Sequence, residues 1–147
     1  VAVTLLDLGL LERAQSVQTE ALALRQQHLG PRDPATLESL NWMATILQNQ
    51  GQLAEAEAPF REALEGRRAV LGDEHPDTID SISNLGLLLH LTGRFADAEA
   101  LYLEALEKYR RVRGPEHAYT LQALNNLGGL KRDQGKLGEA EGYWREA

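Results

Sequence analysis

Four histidines, His28, His75, His90 and His117, are the first residues to weigh for metal binding or acid–base work. No two of them stand in the His-x3-His spacing that sets a pair of imidazoles on one helical face over an ion. His75 and His117 instead stand 42 residues apart at one linker position, which fits a turn or helix-capping role. The carboxylates Glu57, Glu99 and Glu141 recur at the same step. Paired-carboxylate catalysis needs a unique site with shifted pKa values, so repetition points to structure. Gly128-Gly129 lacks the Gly-x4-Gly-Lys pattern of a phosphate cradle, and Trp42 and Trp144 read as packing or interface residues. With no cysteine, disulfides, thiolate nucleophiles and Cys-ligated zinc are excluded. The expectation is a non-enzyme without metal or cofactor.

The 147 residues carry 15 lysines and arginines against 22 acidic residues, a formal net charge of -7. No bulk basic face is available for phosphates or an anionic membrane, so neither nucleic acid nor membrane is expected as a partner. Mean hydropathy is -0.37, and no apolar run approaches the ~18 residues of a membrane span. The opening VAVTLLDLGLLER lacks the basic leader of a signal peptide, which leads us to expect a cytoplasmic protein.

The elements that position these residues are set by a period of 42. Leu29-Gly30, Leu71-Gly72 and Arg113-Gly114 share it, as do Gly51, Gly93 and Gly135; Thr36, Thr78 and Thr120; and Ala56, Ala98 and Ala140. Residues 29–70 and 71–112 are identical at 17 of 42 positions without a gap. Gly9, Ala14, Ala21 and Arg25 match Gly51, Ala56, Ala63 and Arg67, so the latter part of another copy precedes them. The expected organisation is a single array over 1–147: a partial repeat at 1–28, full repeats at 29–70 and 71–112, and a truncated repeat at 113–147. A fixed period of this size means stacked units, none of which buries its apolar face alone.

Within a copy the apolar spacing is helical. Ile79, Ile82, Leu85, Leu88 and Leu89 share one stripe, and Phe95, Ala98, Tyr102, Ala105 and Leu106 another. The short connection Leu91-Thr92-Gly93-Arg94 makes the two helices antiparallel neighbours, with Gly93 free to take the left-handed conformation that ends a helix. Arginines at 67–68 and 110–111 suit a helix C-terminus, and Asp33 reads as an N-cap before Pro34. The spacing predicts a half helix at 1–8 and helices at 11–28, 35–49, 53–70, 77–91, 95–112, 119–133 and 137–147.

Ile82-x2-Leu85-Gly86-x2-Leu89 followed by Ala98-x3-Tyr102-x2-Ala105 resembles the tetratricopeptide repeat and its W-x2-L-G-x2-Y, A-x3-F pattern. Leu124-x2-Leu127-Gly128-x2-Lys131 with Ala140-x3-Trp144-x2-Ala147, and Leu40-x2-Met43-Ala44-x2-Leu47 with Ala56-x3-Phe60-x2-Ala63, repeat it. The 42-residue period and the linker Leu71-Gly72-x2-His75-Pro76-x-Thr78 look like the kinesin light chain type, as does Leu124-Asn125-Asn126-Leu127-Gly128. Gln18 departs from the pattern by replacing an aromatic, and Arg68 and Arg110 stand where a proline is expected. The resemblance implies an all-α fold, a right-handed α–α superhelix of antiparallel helix pairs.

It also implies a non-catalytic protein–protein interaction scaffold that holds a peptide segment of a partner in a concave groove lined by the first helix of each pair. The positions pointing there are Glu38, Asn41, Trp42, Thr45 and Gln48; Asp80, Ser83, Asn84, Leu87 and His90; and Gln122, Asn125, Asn126, Gly129 and Arg132. Among these we select Asn41, Asp80, Ser83, Asn84, Leu87, Gln122, Asn125, Asn126 and Arg132 as the site, with Asn84 and Asn126 foremost. A carboxamide donates and accepts, so a row of asparagines can clamp a peptide backbone. Glu38, Asp80 and Gln122 argue against a ligand's terminal carboxylate, and Arg132 is the one arginine or lysine of the set. A neutral or basic peptide with an apolar anchor is expected. The alternative function is a sensor or autoinhibitory module of a larger signalling ATPase or regulator. Leu5, Leu6 and Leu8 at one end, and Tyr143 with Trp144 at the other, lead us to expect a fragment of a longer array with ends prone to self-association.

Overall fold

The computed structural model describes the backbone of residues 2–147 and the side chains of Arg13 and of residues 15–147. Seven helices follow in order among the described residues: α1 (Ala2–Leu29), α2 (Pro34–Asn49), α3 (Leu53–Leu71), α4 (Pro76–Leu91), α5 (Phe95–Arg113), α6 (Ala118–Asp133) and α7 (Leu137–Glu146). The chain divides into two compact units, residues 1–70 and 71–147.

The helix ends are built the same way in each copy. Gln52, Arg94 and Lys136 donate their backbone N–H to the carbonyls of Leu47, Leu89 and Lys131, at 2.8–2.9 Å. This six-to-one closure needs a left-handed residue just before it, supplied by Gly51, Gly93 and Gly135 at φ of 77–78°. At the opposite ends, Asp33 Oδ1 accepts from Ala35 N, and the Nδ1 atoms of His75 and His117 accept from Asp77 N and Tyr119 N. The two repeated histidines are thus N-caps, satisfying backbone donors that the first helical turn leaves open. Thr36 and Thr120 donate their hydroxyls to the carbonyls of Gly30 and Gly114, which explains two members of the threonine series.

One expectation fails. The period calls for a turn at Gly9, between a half helix at 1–8 and a helix at 11–28, yet α1 is continuous from Ala2 to Leu29. The other turns flank their glycine with Gln50 and Gln52, Thr92 and Arg94, or Gln134 and Lys136, whereas Gly9 lies between Leu8 and Leu10. Leucine is among the strongest helix formers, and Gly9 alone does not outweigh the run it sits in. The side chains of Leu5, Leu6 and Leu8 lie outside the described residues.

In the first unit, Leu37, Leu40 and Ala63 form a buried cluster joined by Leu22. Arg25 ties α1 to α2 through the Ala35 carbonyl at 2.8 Å and the Ser39 hydroxyl at 2.7 Å. Gln18, which stands where an aromatic belongs, donates to the Ser39 carbonyl. In the second unit the core is Ile79, Ile82, Leu85, Leu88 and Leu89 of α4, Ala98, Tyr102, Ala105 and Leu106 of α5, and Leu124, Leu127 and Leu130 of α6.

Each hairpin closes around a small residue facing an aromatic. Gly86 lies so close to Tyr102 that a β-carbon would stand 3.0 Å from two ring atoms, and one on Gly128 would overlap the Trp144 indole. The corresponding pair in the first unit is Ala44 with Phe60, both buried. Tyr102 is fully buried, whereas Trp144 is 40% exposed and Leu137 of the same helix 61%.

Candidate functional site

The expected groove residues fall in both units. Asn41 lies half-buried on α2 of the first, where its carbonyl accepts from the Thr45 hydroxyl at 2.9 Å. The others belong to α4 and α6 of the second unit, and the site is described there.

On α4, Asp80, Ser83, Asn84 and Leu87 are all half-buried; on α6, Gln122 and Asn125 are exposed and Asn126 is half-buried. The apolar stripe of α4 points into the core, and helical geometry leaves these residues on the adjoining face. Gly129 occupies the α6 position that corresponds to Leu87 on α4. A β-carbon on Gly129 would meet nothing within 4 Å, so no internal contact requires glycine there. A mid-helix glycine costs about 1 kcal/mol relative to alanine, and no packing contact offsets that cost at Gly129.

Several polar groups of this face are already committed. Asp80 Oδ1 accepts the Tyr109 hydroxyl at 2.5 Å. Burial, reinforced by that carboxylate, pushes the Tyr109 phenol far above the usual tyrosine value. Arg132 donates Nε–H to Asp133 Oδ1 at 2.8 Å, so the arginine of the expected set is internally paired. His90 is mostly buried rather than open to a ligand: its Nε2 lies 3.0 Å from Asp133 Oδ2, and its ring meets Phe95 and Tyr102 edge-on. It is a strut between the C-terminal ends of α4 and α6.

Two features of the unit depart from the period and were not singled out from sequence. Lys131 replaces the apolar residue found at Leu47 and Leu89. It is buried, with its Nζ 2.7 Å from Glu99 Oε1 and 2.9 Å from Glu139 Oε2, so α6 is bound to both α5 and α7. Hydrogen bonding to Lys131 holds the Glu99 and Glu139 carboxyls below their usual range, and the two carboxylates push the Lys131 ammonium well above its own. Glu57 and Glu141, by contrast, pair with Arg61 and Arg145 one turn on, where Glu99 has Leu103.

The second departure is Tyr109, which replaces the arginine of Arg25 and Arg67. Where Arg25 reaches the Ser39 hydroxyl, the equivalent residue on α6 is Ala123, which offers none. Tyr109 instead donates to Asp80 and stacks on Tyr119, with ring centroids 5.6 Å apart and planes at 26°. His117 packs against the same Tyr119 at 5.4 Å.

Among the described residues, no group of three or more His, Asp or Glu side chains is placed to hold a metal ion. No helix among them is long and apolar enough to cross a membrane. Helix hairpins repeated at a constant 42 residues define an α-helical repeat protein. Two tetratricopeptide repeat models match it, one over residues 36–110 and 82–147 and the other over 1–35. The chain belongs to the tetratricopeptide repeat family, and its fold is the all-α tetratricopeptide fold. Among solved structures it is similar to BtubC (BKLC) from P. vanneervenii, with a TM-score of 0.85 and 26% identity over 95% of this chain and 55% of that one. A kinesin light chain-like protein of nearly identical TPR-like repeats from Podosopora anserina gives 0.84 and 21%, over 93% of this chain and 65% of that one. The chain thus spans little more than half of the first and under two thirds of the second. No curated protein matches it in sequence. Tetratricopeptide repeats are protein-interaction modules, and the chain is a protein-interaction scaffold built of them.

Proposed function

We propose that the α4/α6 face of the second unit holds a peptide segment of a partner protein, neutral or basic, with one apolar side chain as anchor. The observation that carries this reading is the open helical glycine at 129, which stands between half-buried Asn126 and exposed Arg132 at the position matching Leu87. A glycine that packing does not require, beside carboxamides able to donate and accept, suits the close approach of a peptide backbone. Leu87 supplies apolar surface for the anchor, and on α2 of the first unit Asn41, at the repeat position of Ser83 and Asn125, offers a carboxamide. A groove ligand of this kind binds with a Kd of order micromolar, about -8 kcal/mol.

The test is a peptide library selected against the whole chain and against the Asn84→Ala, Asn126→Ala double variant. Selected peptides bind the variant at least tenfold more weakly if the reading holds. Equal binding refutes it.

A further inference from the structure

We propose that Asp80, Tyr109 and Tyr119 form a subsite for an arginine side chain of the bound peptide. The proposal rests on the α4/α6 face being the binding face and names the residue type read at its N-terminal end.

Asp80 stands at the start of the α4 row, half-buried, with its carboxylate oriented by the Tyr109 hydroxyl on Oδ1. None of the ion pairs among the described residues includes it. The neighbouring cations of α5 are engaged elsewhere: Lys108 lies near Asp73 and Glu104, and Arg111 near Glu74 and Glu107. A half-buried carboxylate held in a fixed pose and left without a cation attracts one from outside, since its field is screened less than that of a fully solvated acid. The chain's net charge of -7 favours the approach of a basic ligand.

The aromatic pair narrows the choice of cation. Tyr119 is 42% exposed, with buried Tyr109 stacked on it and His117 packed against it at 5.4 Å, so a ligand meets the part of the ring that these two neighbours leave uncovered. A guanidinium is planar, stacks on aromatic faces and donates in a fixed fork to a carboxylate. Lysine offers only a compact charge. The hydrogen bond from Tyr109 leaves Asp80 Oδ2 for this contact, and Ser83, which hydrogen-bonds the Tyr109 hydroxyl, helps hold the phenol in place. The signal in the sequence is the loss of repetition: arginine at 25 and 67 gives way to Tyr109, and Asp77 and Ala35 to Tyr119.

The experiment uses random peptides selected on the whole chain, each resynthesised with citrulline in place of arginine, a change that removes charge and keeps shape. Affinities are measured on the wild type, Asp80→Asn, Tyr119→Ala and the Asn84→Ala, Asn126→Ala double variant. Asp80→Asn keeps an acceptor for Tyr109, and thermal unfolding followed by circular dichroism verifies that each variant is folded. The expected result is arginine enriched among the selected peptides, a loss of about five- to tenfold on citrulline substitution, and disappearance of that difference in Asp80→Asn. Tyr119→Ala narrows the difference. If binding needs Asn84 and Asn126 but arginine is not enriched, or citrulline costs nothing, the arginine subsite is overturned and the binding face stands. If the selection yields no binder, or the double variant binds as the wild type does, the face itself is refuted and the subsite with it.

Discussion

Substituting Gly86 by alanine tests whether the hairpins are closed by matched volumes. An alanine in a helix interior ordinarily gains about 0.5–1 kcal/mol over glycine. Here its β-carbon would stand 3.0 Å from two ring carbons of Tyr102, well inside the 3.5–4.0 Å of a comfortable carbon contact. Tyr102 is fully buried and cannot swing aside. Overpacking costs about 1–3 kcal/mol, so the net expectation for Gly86→Ala is destabilisation of about 1 kcal/mol. Tyr102→Phe removes a hydroxyl that is buried with no hydrogen-bond partner, which favours the folded state by about 1 kcal/mol. The double variant recreates the Ala44 and Phe60 pair of the first unit, where both side chains are buried. It is expected at or above wild-type stability, with a favourable coupling of about 1 kcal/mol between the two changes. The assay is urea unfolding of wild type, both single variants and the double variant, all on a Trp42→Phe background so that the remaining Trp144 fluorescence follows the second unit. A Gly86→Ala variant about 1 kcal/mol more stable than wild type, or strictly additive changes, would refute the reasoning.

Further outcomes follow from the second unit. Lys131→Leu, which restores the residue type of Leu47 and Leu89, should leave stability at neutral pH within about 1 kcal/mol of wild type, because Glu99 and Glu139 regain water; a larger loss in urea titration contradicts this. Glu99→Gln should cost about 1 kcal/mol by the same titration, since Lys131 keeps Glu139 as its other partner. The pH dependence has a definite sign: the Glu99 carboxyl is lowered from 4.5, so its contribution is present above that pH and lost as pH falls through the folded-state value. Lys131 is raised from 10.5, so its contribution is present below that pH and lost as pH rises through the higher folded-state value. The stability difference between wild type and Glu99→Gln should therefore be flat from about pH 5 to 10 and shrink in acid; a difference that grows below pH 4 would reverse the sign. Gly129→Ala should raise stability by about 0.5–1 kcal/mol in thermal or urea unfolding while weakening binding of selected peptides, and unchanged affinity removes the role given to that glycine.

What the sequence made legible was whatever recurs. Gly51, Gly93 and Gly135 occupy left-handed turns because every copy needs the same closure, and His75 and His117 cap α4 and α6 because every linker leaves the same donors open. The turn expected at Gly9 did not form, since periodicity carries no weight against leucines on both sides of the glycine. What the sequence hid lies in the exceptions. Lys131 and Tyr109 each break the period, and each acts through contacts that depend on side-chain positions in three dimensions. Arg132 shows the same limit from the other side: its charge was legible, but its pairing with Asp133 was not. His90 likewise belongs to the groove row by spacing, yet it is spent on Asp133.

The proposed α4/α6 face binds a peptide through Asn84 and Asn126 beside an open Gly129. Isothermal titration of a library-selected peptide into wild type and into the folded Asn84→Ala, Asn126→Ala variant tests it most directly. The expected Kd is of order micromolar for wild type, about -8 kcal/mol, weakened at least tenfold in the variant. The same Kd for both proteins would contradict it.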